Sequence, residues 1–296
     1  MTPLLVTDMA RIAVILIAAG YGLLGVLSLV PATRATGIDI LKVFFSATLI
    51  ACVLVGLFLL GPVALVPAFA LTALRIGFES AAVRMPDGPA PLLIGILCAG
   101  LTVATTLDWR MALATLGIWF LLLARLILLP NASNPRTSKS ILDLLVFPIL
   151  PLGLLAYGAI QPNLAGLMLA TYILVEVFDS LALVSGRLFG RTPAFPSLSP
   201  KKTIGGLIGG SVCLMLLAIF AAGPLGQPVW LSVVVAFLTG IFAIAGDLAA
   251  SRLKRIGGVK DFPVVLNRQG GLLDSLDSWI AAGAGLTACQ LLWWPW

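Results

Sequence analysis

The sequence predicts an all-α, polytopic membrane protein of about ten spans, eight at the fewest. Three observations carry that expectation. The chain is 60% hydrophobic and only 10% charged, with a mean hydropathy of +1.12, whereas soluble chains carry about 25% charged residues. Its apolar residues fall in runs of roughly 20, the length that crosses a hydrocarbon layer about 30 Å thick as a helix. The runs are continuously apolar, not alternating, which argues against spanning strands.

Taken in order, the runs are 11–30, 40–60, 63–81, 91–107, 110–129, 141–160, 163–186, 204–222, 229–249 and 275–294. The fourth is short and the third contains Pro67, so eight or nine crossings also satisfy the pattern. The first lacks a basic leader and a small-residue cleavage site and is read as a retained helix. With ten crossings, Arg34, Lys42, Arg75, Arg84, Arg136, Lys139 and the cations of 187–202 and 252–268 gather at alternate ends, with Arg11 and Arg110 opposite. Positively charged loops stay cytoplasmic, so both termini are expected outside. The net charge of +6 is then a signature of topology. Nucleic-acid binding is set aside, since no basic stripe interleaved with aromatics lies on a soluble surface.

Two regions differ in character: 1–160, an N-terminal membrane-spanning region, and 161–296, a C-terminal membrane-spanning catalytic region. In the first, Asp39, Asp87 and Asp108 sit in expected loops, and Asp143 follows Ser140 at an expected helix start, where a carboxylate suits the dipole. In the second, Glu176 and Asp179 share one helix face inside an apolar run. Charges within a span are expensive and mark functional suspects. The chain has no His, so no imidazole serves as base or ligand, and its four Cys are scattered without paired spacing.

The segment 251–277, SRLKRIGGVKDFPVVLNRQGGLLDSLD, holds five Lys or Arg and three Asp. Asp274 and Asp277 stand at i and i+3, on one side of a helix start at the cytoplasmic lip, and Asp247 closes the preceding run at the same end. Hard oxygen donors without His or Cys suit Mg²⁺; dipole complementation and capping explain the same acids equally well. SLSPKKT (197–203) supplies two ammonium groups and hydroxyls before a helix start that attracts phosphate. It is not a Walker A loop, and a positive-inside anchor is its plainer reading. The Gly pairs 205–206 and 209–210 also suit close helix packing. Cations and candidate metal carboxylates at one membrane surface point to phosphoryl or nucleotidyl chemistry on a lipid headgroup.

Ser251, Lys254, Arg255, Lys260, Asp261, Gly270, Gly271, Asp274 and Asp277 resemble, at matching spacing, the signature of the phosphatidate cytidylyltransferase (CDP-diacylglycerol synthase) family. DSLALVSGRLFG (179–190), SPKKTIGGLIGG and Gly246-Asp247 are similar to further family segments, so the resemblance covers about 161–278. It implies transfer of CMP from CTP to phosphatidate or a related lipid phosphate, giving CDP-diacylglycerol and pyrophosphate. It further implies Asp247, Asp274 and Asp277 as metal carboxylates for Mg²⁺, with a monovalent cation such as K⁺ beside it. Ser199, Lys201, Lys202 and Thr203 would face nucleotide or lipid phosphates. Asp179, Ser251, Lys254, Arg255, Lys260, Asp261, Gly270 and Gly271 would surround the substrates, Lys254 among the catalytic groups. A bacterial inner-membrane location with a cytoplasmic site and a homodimer complete the implication.

The chain departs from the family pattern at Gln269 (His in the signature), Ser275 (Arg), Leu183 (Tyr), Gly205, Pro263 and Asn267. It reads as a divergent paralogue. A CTP-dependent lipid kinase, or a non-catalytic transporter or inactive partner, are the competing readings.

Overall fold

The computed structural model describes residues 3–29, 34–85, 91–128, 136–265 and 270–293. Its elements are α1 (Val6–Leu29), α2 (Arg34–Leu60), α3 (Pro62–Arg84), α4 (Pro91–Leu107), α5 (Trp109–Leu128), α6 (Arg136–Leu144), a π-helical turn (Leu145–Ile149), α7 (Leu150–Ile160), α8 (Ala165–Phe189), β1 (Pro193–Phe195), β2 (Ser199–Thr203), α9 (Ile204–Ala222), α10 (Val229–Ile256) and α11 (Leu272–Trp293). Every apolar run falls on a helix. Seven described helical segments are long and apolar enough to cross a membrane, and Phe44–Leu60 and Pro91–Leu107 are shorter apolar helices. The protein is an all-α integral membrane protein. One local difference from expectation is SPKKT, read as a loop: it forms β2 and pairs antiparallel with β1. The hairpin lets two polar segments satisfy each other's backbone groups outside the apolar layer.

At the centre stand α7, buried from Leu150 to Ala159, and α11, whose buried residues include Trp279, Ile280, Ala284 and Leu286. Peripheral helices leave side chains such as Val14, Leu121 and Phe220 exposed, as hydrocarbon-facing surfaces allow. Trp279 is the central anchor. Its ring packs near Phe58, Phe69 and Tyr172, and its indole N–H donates to the Met168 carbonyl at 3.0 Å, the partner a buried indole needs. Helices α8 and α9 meet on glycines. A Cβ on Gly206 would lie 2.7 Å from the Ala182 carbonyl oxygen, and one on Gly210 would lie 2.9 Å from the Ala182 Cβ. Close helix packing therefore accounts for these Gly residues.

The run 141–160 is a broken rod. Phe147, at φ −157° and ψ 127°, leaves the helical region before Pro148, as residues preceding proline do. Trp119 Nε1 donates to the Val146 carbonyl at 2.9 Å beside the break.

Asp143 is not at a helix start. The helix begins at Arg136, and Asp143 is buried near its end, where Oδ2 accepts from Arg84 Nη2 at 2.8 Å and Nε at 3.1 Å. Arg252 of α10 approaches Oδ1 at 3.4 Å. One carboxylate thus ties α6 to α3 and α10. Because Arg84 is also largely buried, Asp143→Ala is expected to destabilise the folded protein by about 3–5 kcal/mol by stranding that charge. Thermal unfolding in detergent measures this, and the double variant with Arg84→Met should recover most of the loss. An unchanged midpoint for Asp143→Ala would contradict it.

Candidate active site

The end of the bundle that carries the hairpin also carries the ends of α8 and α10, residues 257–265 and the start of α11. Helix α10 continues past its apolar run to Ile256, projecting Ser251, Lys254 and Arg255 beyond Asp247. A turn then begins at Gly257 and Gly258, the latter with φ +72°, and the chain returns to α11.

Asp274 is the best-held acid of the site. Its Oδ1 accepts from Lys254 Nζ at 2.5 Å, and its Oδ2 accepts from the backbone N–H of Phe262 and Gly271, each at 2.9 Å. A carboxylate offers roughly four acceptor positions, so three donors leave room for about one more. Lys254 also lies 5.4 Å from the centre of the Phe262 ring, a cation–π distance. Gly270 adopts φ +80°, and a Cβ there would press on the Asp274 carboxylate at 2.5 Å. A positive φ and close approach together require glycine at this position.

Asp247 has a different partner. Lys202 of β2 brings its ammonium within 3.0 Å of Asp247 Oδ2, an ion-pair distance without the angles of a hydrogen bond, and this buried oxygen has no hydrogen-bond donor. Asp277 is buried, at 6% exposure, and Oδ1 accepts from the Ser278 N–H at 2.6 Å. It interacts electrostatically with Asp247, Lys254 and Asp179, and Asp179 with Lys202 and Asp247. Asp179, Asp247 and Asp277 thus interact electrostatically with one another, with Lys202 paired to Asp247 and Lys254 to Asp274. Among the described residues no three His, Cys, Asp or Glu side chains are close enough together to enclose an ion by themselves.

Thr203 ends the hairpin and caps α9, its hydroxyl accepting from the Gly206 N–H at 3.1 Å. Ser199 is half-buried opposite Phe195 in the hairpin. Ser251 is buried, whereas Lys201, Arg255, Lys260 and Asp261 are exposed; Arg255 Nη1 donates to the Val259 carbonyl at 3.2 Å. Gln269, Asn267, Arg268 and Asp87 lie outside the described residues. A cavity of about 190 Å³ opens beside Asp274, lined by Ala47, Ile50, Tyr172, Glu176, Asp274 and Ser275. Ser275, where the signature has Arg, thus faces a small space shared with two carboxylates. Such a lining suits hydrogen-bond donors or a cation better than a bare phosphate.

Glu79, absent from the sequence reading, and Arg75 stand behind this site. Glu79 of α3 is fully buried; its Oε1 accepts from the Leu272 N–H at 3.0 Å and its Oε2 from the Leu273 N–H at 2.9 Å. Arg75, counted in the sequence only as a cytoplasmic-side cation, donates through Nε to Glu79 Oε1 at 2.7 Å and through Nη2 to the Pro263 carbonyl at 3.0 Å. A Glu four residues after an Arg within an apolar run was the available signal.

The family profile described as the cytidylyltransferase family matches residues 40–292. The chain belongs to the cytidylyltransferase family. Among its relatives, the phosphatidate cytidylyltransferase of Staphylococcus haemolyticus (strain JCSC1435) is 34% identical over 131 residues, 44% of this chain and 50% of the relative. That of Staphylococcus aureus (strain COL) is 35% identical over 115 residues, 38% of this chain and 44% of the relative. The chloroplastic phosphatidate cytidylyltransferase 4 of Arabidopsis thaliana is 41% identical over 110 residues, 36% of this chain and 27% of the relative. These alignments span half or less of each curated relative's length. The family profile begins inside α2, so it takes in Arg75 and Glu79 of this cytidylyltransferase-family chain as well as the signature.

Proposed function

We propose that this protein transfers CMP from CTP to phosphatidate or a closely related lipid phosphate, releasing pyrophosphate and leaving a CDP-lipid. The observation that carries the reading is the pair of Lys–Asp contacts, Lys202–Asp247 and Lys254–Asp274, at one end of a membrane-spanning bundle of this family. The reaction needs little base catalysis, because the attacking lipid phosphate oxygen is already anionic. That oxygen forms a bond to the α-phosphorus as the bond to the β-bridging oxygen breaks, and the electron pair leaves with pyrophosphate. What the chain must supply is alignment and compensation of charge. Lys202 and Lys254 are placed to exchange carboxylate partners for phosphate oxygens. Exposed Lys201, Arg255 and Lys260 would draw the triphosphate toward the surface.

Mg²⁺ fits these residues. It usually binds through one or two carboxylates plus waters and substrate phosphates, so Asp247 and Asp277, electrostatically coupled, with a buried Asp247 oxygen lacking a hydrogen bond, form a suitable donor set, with Asp274 one turn away. When bound, the ion would neutralise phosphate charge; a monovalent cation such as K⁺ beside it belongs to the same proposal. The reading also places the site on the cytoplasmic face of a bacterial inner membrane, supported by the cations gathered at that end, and takes the protein to be a homodimer.

Purified protein given phosphatidate, Mg²⁺ and CTP labelled at either the α- or the γ-phosphate tests the reading. Label from the α-position is expected in the lipid, with matching pyrophosphate release. Label from the γ-position would instead identify a lipid kinase, and no labelled lipid from any phospholipid acceptor would overturn the enzyme reading.

A further inference from the structure

The first turn of any helix presents N–H groups with no partner inside the helix. They are usually satisfied by a Ser, Thr, Asp or Asn just before it. In α11 those positions hold Gly270 and Gly271, which have no side chain to offer. The N–H groups of Leu272 and Leu273 go instead to one carboxylate about 190 residues earlier in the chain, Glu79. The missing Cβ of Gly271 makes room for it: a Cβ there would lie 2.6 Å from Glu79 Oε2. A wholly buried acid in an apolar helix is costly unless paired, and Arg75 supplies the pairing while gripping the Pro263 carbonyl. Both arms of the connection between α10 and α11 are therefore fastened to α3.

We propose that Arg75 and Glu79 are positioning residues for the reaction, fixing the height and rotation of the α11 first turn and so the places of Asp274 and Asp277. They touch neither reacting group. They act because the carboxylates two and five residues after Leu272 move with that turn. Gly271 is then required partly to admit the distant acid, and the register of the two carboxylates is set against α3. The catalytic part of this inference rests on the function proposed above.

Glu79→Gln keeps shape and one oxygen acceptor but turns an amide nitrogen toward a backbone N–H or toward Arg75. Arg75→Lys keeps charge but loses the two-pronged reach. Hydrogen exchange of purified, substrate-free protein is expected to quicken by about tenfold in peptides covering 270–277, and not in α7 or α9, for both variants. In the CMP-transfer assay kcat should fall by about 10- to 100-fold, while KM for CTP and for phosphatidate stays within about threefold. Glu79→Asp should fall between wild type and Glu79→Gln. The proposal is overturned by wild-type exchange at 270–277, by exchange that quickens equally throughout the bundle, or by a wild-type kcat in both variants. A wild-type protein that makes no CDP-lipid would overturn the function reading, and the exchange measurement would then decide the anchoring by itself.

Discussion

Asp274→Ala is expected to cut CMP transfer by about a thousandfold or more, the largest effect of any single substitution considered. The carboxylate holds Lys254 through one oxygen and the N–H groups of Phe262 and Gly271 through the other. Its removal frees the lysine, unfastens the segment before α11 and deletes a candidate metal donor at once. Asp274→Asn separates these contributions, because an amide oxygen can still accept from the two N–H groups but carries no charge for Lys254. If charge is what matters, Asn should be nearly as inactive as Ala, with normal exchange at 270–273. Asp8→Ala, which removes only an exposed contact with Arg11, is the control and should retain full turnover. Asp274→Asn with more than a tenth of wild-type activity would reduce Asp274 to a helix cap.

Withdrawing divalent cations with EDTA is expected to abolish turnover, and Mg²⁺ or Mn²⁺ to restore it. The expectation comes from the electrostatic interaction of Asp179, Asp247 and Asp277 with one another, while Lys202 is paired to Asp247 and Lys254, the cation acting on Asp277, is already paired to Asp274. Two ammonium groups cannot balance the four carboxylates Asp179, Asp247, Asp274 and Asp277 and also serve the phosphates of an incoming nucleotide. A divalent ion held by Asp247 and Asp277 would supply the missing positive charge. Full activity in EDTA would remove the metal from the proposal and leave the lysines as the principal counter-charges.

Much of the architecture was legible because hydrophobic runs of the right length leave little choice in a membrane. The relative placement of Asp274 and Asp277 was legible too, since i, i+3 spacing puts them on one side of a helix wherever that helix goes. Three things were not. Glu79 was averaged away inside an apolar run, and its partners lie at Leu272 and Leu273, a pairing that spacing cannot reveal. Asp143 looked like a cap because a break at Phe147 and Pro148 obscures where the helix begins, and Arg84 is 59 positions distant. The hairpin was missed because three- and five-residue strands are too short to show alternation above the turn residues around them.

The anchoring of α11 on α3 also bears on whether the chain can be divided. Every residue of the signature lies after position 160, which invites the idea of a severable catalytic half. Yet the acid that completes the first turn of α11, and the arginine that holds Pro263, belong to the half without a signature residue, as does the carboxylate that grips Arg252. A fragment beginning at 161 would display open amide groups where its key helix starts. The two halves are one machine, joined here where the sequence gives no sign of a seam.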